Sequence, residues 1–293
     1  MPITRTGRRI STDLGRTVTA YTSTQHISAE QREQFIRDGC VRVSGLIPAD
    51  VVSSTRTGLL ERMGVNPDDP NTWAGMSTDP DAIAFTEVCR TPMIEAAATE
   101  LVGPDFIPGV TYSPFLDSQG VMPATLRGFI LVPSFPRPGP AAFEPPTSGY
   151  HIDGMHAVTV WPEKFFLVVF AYLSDIAEYG GATTVRPSSH RQVFEHWLTT
   201  GDQGNTAPPA LDYTEPVPLP GKAGDVIFVH YLLVHSGSAN HDSHIRVGLN
   251  TAVMPDPERL YQPKHGSPQS DWTPLDWSLR TDTLRERAAY EVQ

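Results

Sequence analysis

Gly224-Asp-Val-Ile-Phe-Val-His-Tyr-Leu-Leu-Val-His-Ser-Gly237 is the stretch from which the fold is read. Gly224-Asp225 makes a turn, Val226 to Val229 is an apolar run of strand length, and a new segment begins at His235. Outward on the C-terminal side, Arg246-Val-Gly-Leu-Asn-Thr-Ala-Val alternates apolar with other residues. On the N-terminal side, short runs rich in Val, Phe, Thr and Tyr fall near 109–116, 126–132, 157–161, 165–173 and 182–186, between Gly and Pro turns. With 226–231 and 246–254 they form a succession of short strands. That pattern points to an antiparallel sandwich or barrel, not a βαβ fold.

Before residue 104 the signals are helical. Ser28-Ala-Glu-Gln31 fits a capping box, and a helix to about Asp38 should turn Phe35 and Ile36 inward and stop at Gly39. Cys40-Val-Arg-Val-Ser reads as a half-buried strand, and Ala49-Asp50 starts a helix towards Met63. Residues 81–102 read as helix, a break at Thr91-Pro92, and helix again. Helices followed by strands make one α+β domain, mainly β. Its expected parts are a flexible lead-in over 1–25, helices over 26–104, a β core over 105–255 and a C-terminal extension over 256–293. Two Pro/Gly-rich loops interrupt the core, at 133–149 and 198–218. The first has six prolines and runs into His151, as an active-site lid would.

Charge narrows the partners. The 293 residues carry 22 Lys plus Arg against 33 Asp plus Glu, a net charge of −11. The three lysines, Lys164, Lys222 and Lys264, are scattered, so nucleic acid and anionic membrane surfaces are not expected partners. Cys40 and Cys89 are far apart and read as reduced, buried thiols. The basic N-terminus has no apolar stretch behind it, and the longest apolar run, Phe165 to Leu173, is too short to cross a bilayer. A cytoplasmic setting is expected.

The chemical signal lies in Gly149-Tyr-His-Ile-Asp-Gly154. On a strand, residues two apart share a face, so His151 and Asp153 can converge on one ion. The pair alone is a weak signal, and a third ligand must come from elsewhere; His235 is the candidate. Two imidazoles and one carboxylate leave three adjacent positions open, the facial triad of oxygen-activating iron(II) enzymes. Arg246, eleven residues on (246 − 235), can reach into the barrel and hold a carboxylate with its two-pronged guanidinium.

With these residues in view, positions 26–254 resemble the phytanoyl-CoA dioxygenase family. The likeness rests on the opening Ile27 to Pro48, His151-Ile-Asp153, Leu173-Ser-Asp175, Gly180 to His190, Gly224-Asp225, His235 and Arg246. Departures are Gly180 where Asn is usual, Ser188 where Gly is usual and Tyr150 where Trp is common. The resemblance implies a double-stranded β-helix (a cupin-like jelly roll) with N-terminal and flanking helices. It implies Fe(II) held by His151, Asp153 and His235, with 2-oxoglutarate and O2 as cosubstrates. The acid would chelate iron through its C1 carboxylate and keto oxygen, with Arg246 on the distal carboxylate and Thr183 as a further donor. Succinate and carbon dioxide would leave, and a small organic substrate, a natural-product intermediate for example, would be hydroxylated. Related halogenases have Gly or Ala in place of Asp153, so oxygenation is the expected branch; desaturation, epoxidation and ring formation share the triad. Two rivals are a jelly-roll metalloprotein that forms no succinate and a binding module without tight iron.

Other residues take blander readings. His190 reads as structural, His230 as the discounted competitor of His235, and His241 and His244 as solvated. His156 and Arg127 divide between pocket and structural or surface roles, and Trp161, Trp272 and Trp277 are possible covers of the barrel mouth.

Overall fold

The computed structural model describes residues 25–73, 84–85, 92–104, 106–110, 129–153, 167–200, 207–255 and 272–279. Apart from Gln25, the lead-in lies outside them, as do His156, Arg127, Trp161, Cys89 and the 157–161 strand. The capping box forms as read. Ser28 Oγ accepts from the Gln31 backbone N–H at 3.1 Å, and Gln31 Oε1 accepts from the Ser28 N–H at 2.8 Å. Helix α1 (Ala29–Asp38) ends at Gly39, whose φ is 80°. A side chain at Gly39 would pay for left-handed backbone and put its Cβ 2.5 Å from the His190 ring.

Strand β1 (Cys40–Val43) and helix α2 (Ala49–Arg62) follow. Next come strand β2 (Ala84–Phe85), helix α3 (Pro92–Val102), and strands β3 (Phe106–Val110) and β4 (Phe129–Ser134). The helix expected before the Thr91-Pro92 break is corrected at Ala84 and Phe85, which pair with Ile130 and Phe129. Apolar residues at three- and four-residue spacing do not hold helix there against a neighbouring strand that supplies hydrogen bonds. The chain continues through β5 (Leu167–Tyr172), β6 (Thr183–Val185), helix α4 (Ser189–Thr200), β7 (Val217–Leu219), β8 (Val226–His230), β9 (His235–Gly237), β10 (Arg246–Pro255) and helix α5 (Pro274–Ser278). Helix α4 starts where only the Pro187-Ser-Ser-His190 turn was expected, and β7 ends what read as a loop.

The strands form two antiparallel sheets. The larger runs β1-β8-β5-β10-β4-β2, with β3 on the far half of β10; the smaller runs β7-β6-β9. Two-residue alternation assigns the faces. Leu167, Val169 and Ala171 of β5 join Val226 and Phe228 of β8 in a core with Phe35, Leu59 and Leu101 of the helices. Val168 of β5 and Ile227 and Val229 of β8 join Ala182 and Val185 beside the small sheet, with Phe170 packed against them. Strand β5 is covered on both faces, which is why residues 165–173 read as continuously apolar. Each Leu, Val, Ile or Phe side chain so buried contributes ~1.5–3 kcal/mol.

Asp225 fastens the turn before β8. Its buried carboxylate accepts from the Gly45 N–H at 3.0 Å and the Lys222 N–H at 2.9 Å. Replacing Asp225 by Ala is expected to cost about 2 kcal/mol, since bonds to charged groups contribute ~1.5–3 kcal/mol each and water reaches the freed N–H groups. Asn, which keeps an acceptor, should cost less; urea unfolding of the two variants measures both.

His230 alternates onto the helix side of β8, its ring 6.4 Å from Phe35 and 5.0 Å from His190. Its Nδ1 accepts from the Leu232 N–H at 3.0 Å, so it is structural, as is His190 in the first turn of α4. Burial, with the charge of Arg191, pulls the His190 pKa down to about 3; burial, with His190 and Arg191, pushes His230 well below its ordinary value. The unfolded chain takes up both protons near pH 6.5, the folded one only at much lower pH. Stability therefore falls as pH drops from about 6.5 towards 3, by up to ~1.4 kcal/mol per pH unit for each ring. Urea midpoints between pH 7 and 4 should fall less steeply in His230→Asn than in the native protein.

Candidate metal centre

The backbone brings the candidate ligands together before their side chains are considered. His151 and His235 exchange two N–H to carbonyl bonds, both 2.9 Å, in an isolated antiparallel bridge at the edge of β9. Their rings lie side by side, with centroids 4.3 Å apart. Two residues on, the Asp153 N–H donates to the Tyr231 carbonyl at 3.2 Å, and strand alternation returns its carboxylate to the His151 side.

Each imidazole is held by the carbonyl two residues before it. His151 Nδ1 is 2.8 Å from Gly149 O, and His235 Nδ1 is 2.8 Å from Leu233 O. Since a carbonyl only accepts, Nδ1 carries the proton in both rings and Nε2 keeps its lone pair for the site. One ligand atom from each of His151, Asp153 and His235 falls within 4.8 Å of the other two. His235 Nε2 and Asp153 Oδ2 are 3.3 Å apart, yet the buried Oδ2 makes no hydrogen bond. That distance is near the ~3 Å edge of an octahedron with bonds of about 2.1 Å, so both atoms fit a shared third centre. Burial opposes charge on Asp153, but the neighbouring imidazoles outweigh it and lower its pKa. Burial, then the charge of His235, lowers the pKa of His151; for His235 itself burial is outweighed by Asp153 and the pKa rises.

The cluster opens on a cavity of about 150 Å³ whose walls include Val132, Phe170, Tyr172, Thr183 and Arg246. Phe170 meets the His235 ring edge-on at 6.0 Å. Arg246, at the start of β10, is 9% exposed and spans the two sheets. Nη1 donates to Gly181 O just before β6 at 2.5 Å, and Nη2 to Val132 O on β4 at 2.9 Å, while Nε is buried without a partner. Burial lowers its pKa from the ordinary arginine value, but arginine remains charged in proteins. Thr183 is buried on the cavity wall.

The structure thus gathers all five residues singled out from the sequence. Loop 133–149, expected as a lid, contributes no lining residue to the described cavity; it is tied alongside by the Arg137 N–H to Asn240 O at 2.8 Å. His244 is exposed as read, whereas His241 is half-buried, with Nδ1 3.2 Å from Arg137 O. Trp272, just before α5, and Trp277, within it, lie against each other with centroids 5.0 Å apart, and α5 packs on α1 and α3. Sequence reading took the run 165–173 as core on both faces and passed over Asn250, yet Phe170, Tyr172 and Asn250 all line the cavity, each on the inner alternation of its strand. It also passed over Arg186, whose guanidinium stacks 4.6 Å from the Tyr150 ring centre beside His151. Ser188, where glycine is usual, keeps the left-handed backbone (φ 66°) and donates its hydroxyl to Arg37 O at 2.8 Å, offsetting part of the ~1–2 kcal/mol cost.

The family model described as phytanoyl-CoA dioxygenase (PhyH) matches residues 35–248, most of the chain. With the geometry above, the class is that of non-haem oxygenases that use iron(II), 2-oxoglutarate and dioxygen. The chain belongs to the phytanoyl-CoA dioxygenase family. Among solved structures it is similar to EvdO2 from Micromonospora carbonacea var. aurantiaca complexed with 2-oxoglutarate, at 14% identity over 80% of this chain and 94% of that one, TM-score 0.50. It is also similar to the epimerase SnoN in complex with Fe3+, alpha ketoglutarate and nogalamycin RO (20% identity, 77% and 82% covered, TM-score 0.49). A third is the carbocyclase SnoK from nogalamycin biosynthesis (16% identity, 78% and 84% covered, TM-score 0.47). No curated protein matches the chain. Among the described residues, no helix is long and apolar enough to cross a membrane.

Proposed function

We propose that this oxygenase hydroxylates a small organic molecule at an iron held by His151, Asp153 and His235, with 2-oxoglutarate anchored by Arg246. The observation that carries this reading is the convergence of three ligand atoms within 4.8 Å on a cavity that also receives a buried guanidinium. In the same proposal the two sheets are the halves of a double-stranded β-helix. Residues 26–293 then form one catalytic domain, with helices over 26–104, the β core over 105–255 and an extension over 256–293.

The donor set fits iron: two neutral imidazoles and one carboxylate, with three positions left open. When bound, iron(II) with 2-oxoglutarate supplies an oxidant derived from dioxygen, and the acid leaves as succinate and carbon dioxide. The protein's own part is positioning. Gly149 and Leu233 carbonyls lock the tautomers of His151 and His235 and aim both Nε2 atoms inward. Asp153 stays ionised beside them. Gly181 and Val132 carbonyls fix the Arg246 fork, leaving Nε–H and its remaining N–H groups to bind a carboxylate. Thr183 adds a hydroxyl on the same wall. Phe170, with Val132 and Leu249, gives the cavity apolar sides that limit water.

About 150 Å³ suits one small diacid and is below the ~300–1,000 Å³ of drug-sized sites. The acidic chain disfavours a polyphosphate-bearing substrate such as a CoA thioester. Because Asp153 keeps the carboxylate in place, hydroxylation is favoured over halide transfer; a natural-product intermediate is the substrate class proposed. Succinate release over a panel of candidate metabolites tests this. The expected result is iron- and oxygen-dependent succinate, stimulated by the true substrate and accompanied by a product 16 mass units heavier, on the order of one oxygen atom added. Succinate without hydroxylated product from any stimulating compound would overturn the hydroxylase assignment.

A further inference from the structure

Asn250 lines the cavity, and among the described residues none bonds its side-chain oxygen. It follows Arg246 and Gly248 on the inner alternation of β10, and its Oδ1 is buried with no hydrogen-bond partner. A buried amide oxygen without a partner destabilises the fold, so a partner for this side chain is to be sought among ligands. Its place along the barrel says which. Asn250 pairs with Phe170, whose ring meets His235, so it stands at the level of the metal cluster. Arg246 lies a level away: its guanidinium reaches Gly181 O, and its Nε is 3.8 Å from where a Cβ of Gly248 would sit. The guanidinium therefore rests over Gly248, one two-residue strand step, about 7 Å, from Asn250. Five carbons in an extended diacid span about the same distance, oxygen to oxygen.

We propose that Asn250 is a second 2-oxoglutarate contact, its amide N–H donating to the oxygens at the end of the acid opposite Arg246. The inference rests on the functional reading above, with the acid lying between Arg246 and the metal. A half-turn about the amide exchanges Oδ1 and Nδ2, so the buried head presents the donor to an all-acceptor ligand.

The test is calorimetric titration of 2-oxoglutarate and of succinate into the full chain loaded with Mn(II), which gives binding without turnover. Asn250→Leu should weaken 2-oxoglutarate about tenfold, the loss of one hydrogen bond to a charged group. It should leave succinate, which lacks the chelating keto acid, within about threefold. Asn250→Asp keeps the shape and sets a carboxylate against the ligand, so it should weaken 2-oxoglutarate more than Leu does. Unchanged 2-oxoglutarate affinity in either folded variant, or an equal loss of Mn(II) affinity, overturns the proposal. A native protein that binds Mn(II) but not 2-oxoglutarate instead overturns the functional reading on which it rests.

Discussion

Replacement of His235 by Ala is expected to lower iron(II) affinity by more than about 100-fold and to end 2-oxoglutarate consumption. Losing a partner that merely orients a ligand typically costs 10–100-fold, so removing the ligand itself must cost more. The remaining pair, His151 and Asp153, keeps its backbone bonds to residues 235 and 231, so the fold should survive. Competition with a chelator under anaerobic conditions measures the affinity, and circular dichroism checks the fold. Near-native iron binding in a folded His235→Ala protein would take the ligand role away from His235. His230 is no substitute, because its ring lies on the opposite side of β8 with Nδ1 occupied.

Arg246→Met should have the second largest effect, weakening 2-oxoglutarate by about 10²- to 10³-fold. Truncating one member of a buried, hydrogen-bonded charge pair costs 2–5 kcal/mol or more, and each 1.4 kcal/mol is a factor of ten. Iron affinity should move by less than about threefold. The guanidinium also joins the sheets through Gly181 and Val132, so two carbonyls lose a donor and thermal stability should fall as well. Arg246→Lys separates these roles: it keeps the charge and loses the fork, so the acid should bind with intermediate affinity. Equal loss of iron and acid in Arg246→Met would contradict the assigned role.

What the sequence disclosed followed the range of each signal. The α1 cap and stop were legible because Ser28, Gln31 and Gly39 act within a few residues. The pairing of His151 with Asp153 was legible because strand alternation is local. His235 and Arg246 came from spacing and family likeness, and their convergence depends on a bridge and a cross-sheet contact that no local pattern encodes. Ala84-Phe85 misled because its helical spacing yields to β4, a partner far along the chain. Helix α4 went unread because its first turn, Ser189-His190, follows a proline turn and its apolar residues, Val193, Phe194, Trp197 and Leu198, span less than two turns. Asn250 was passed over because a polar residue on a strand looks solvent-facing until the second sheet covers it.

The most direct measurement is anaerobic titration of the native protein with iron(II) and 2-oxoglutarate, followed in the visible. A metal-to-ligand absorption band that saturates at one equivalent of each, and is missing in His235→Ala, is the predicted result. A colourless native protein, folded and given both components, would contradict the iron centre assigned to His151, Asp153 and His235.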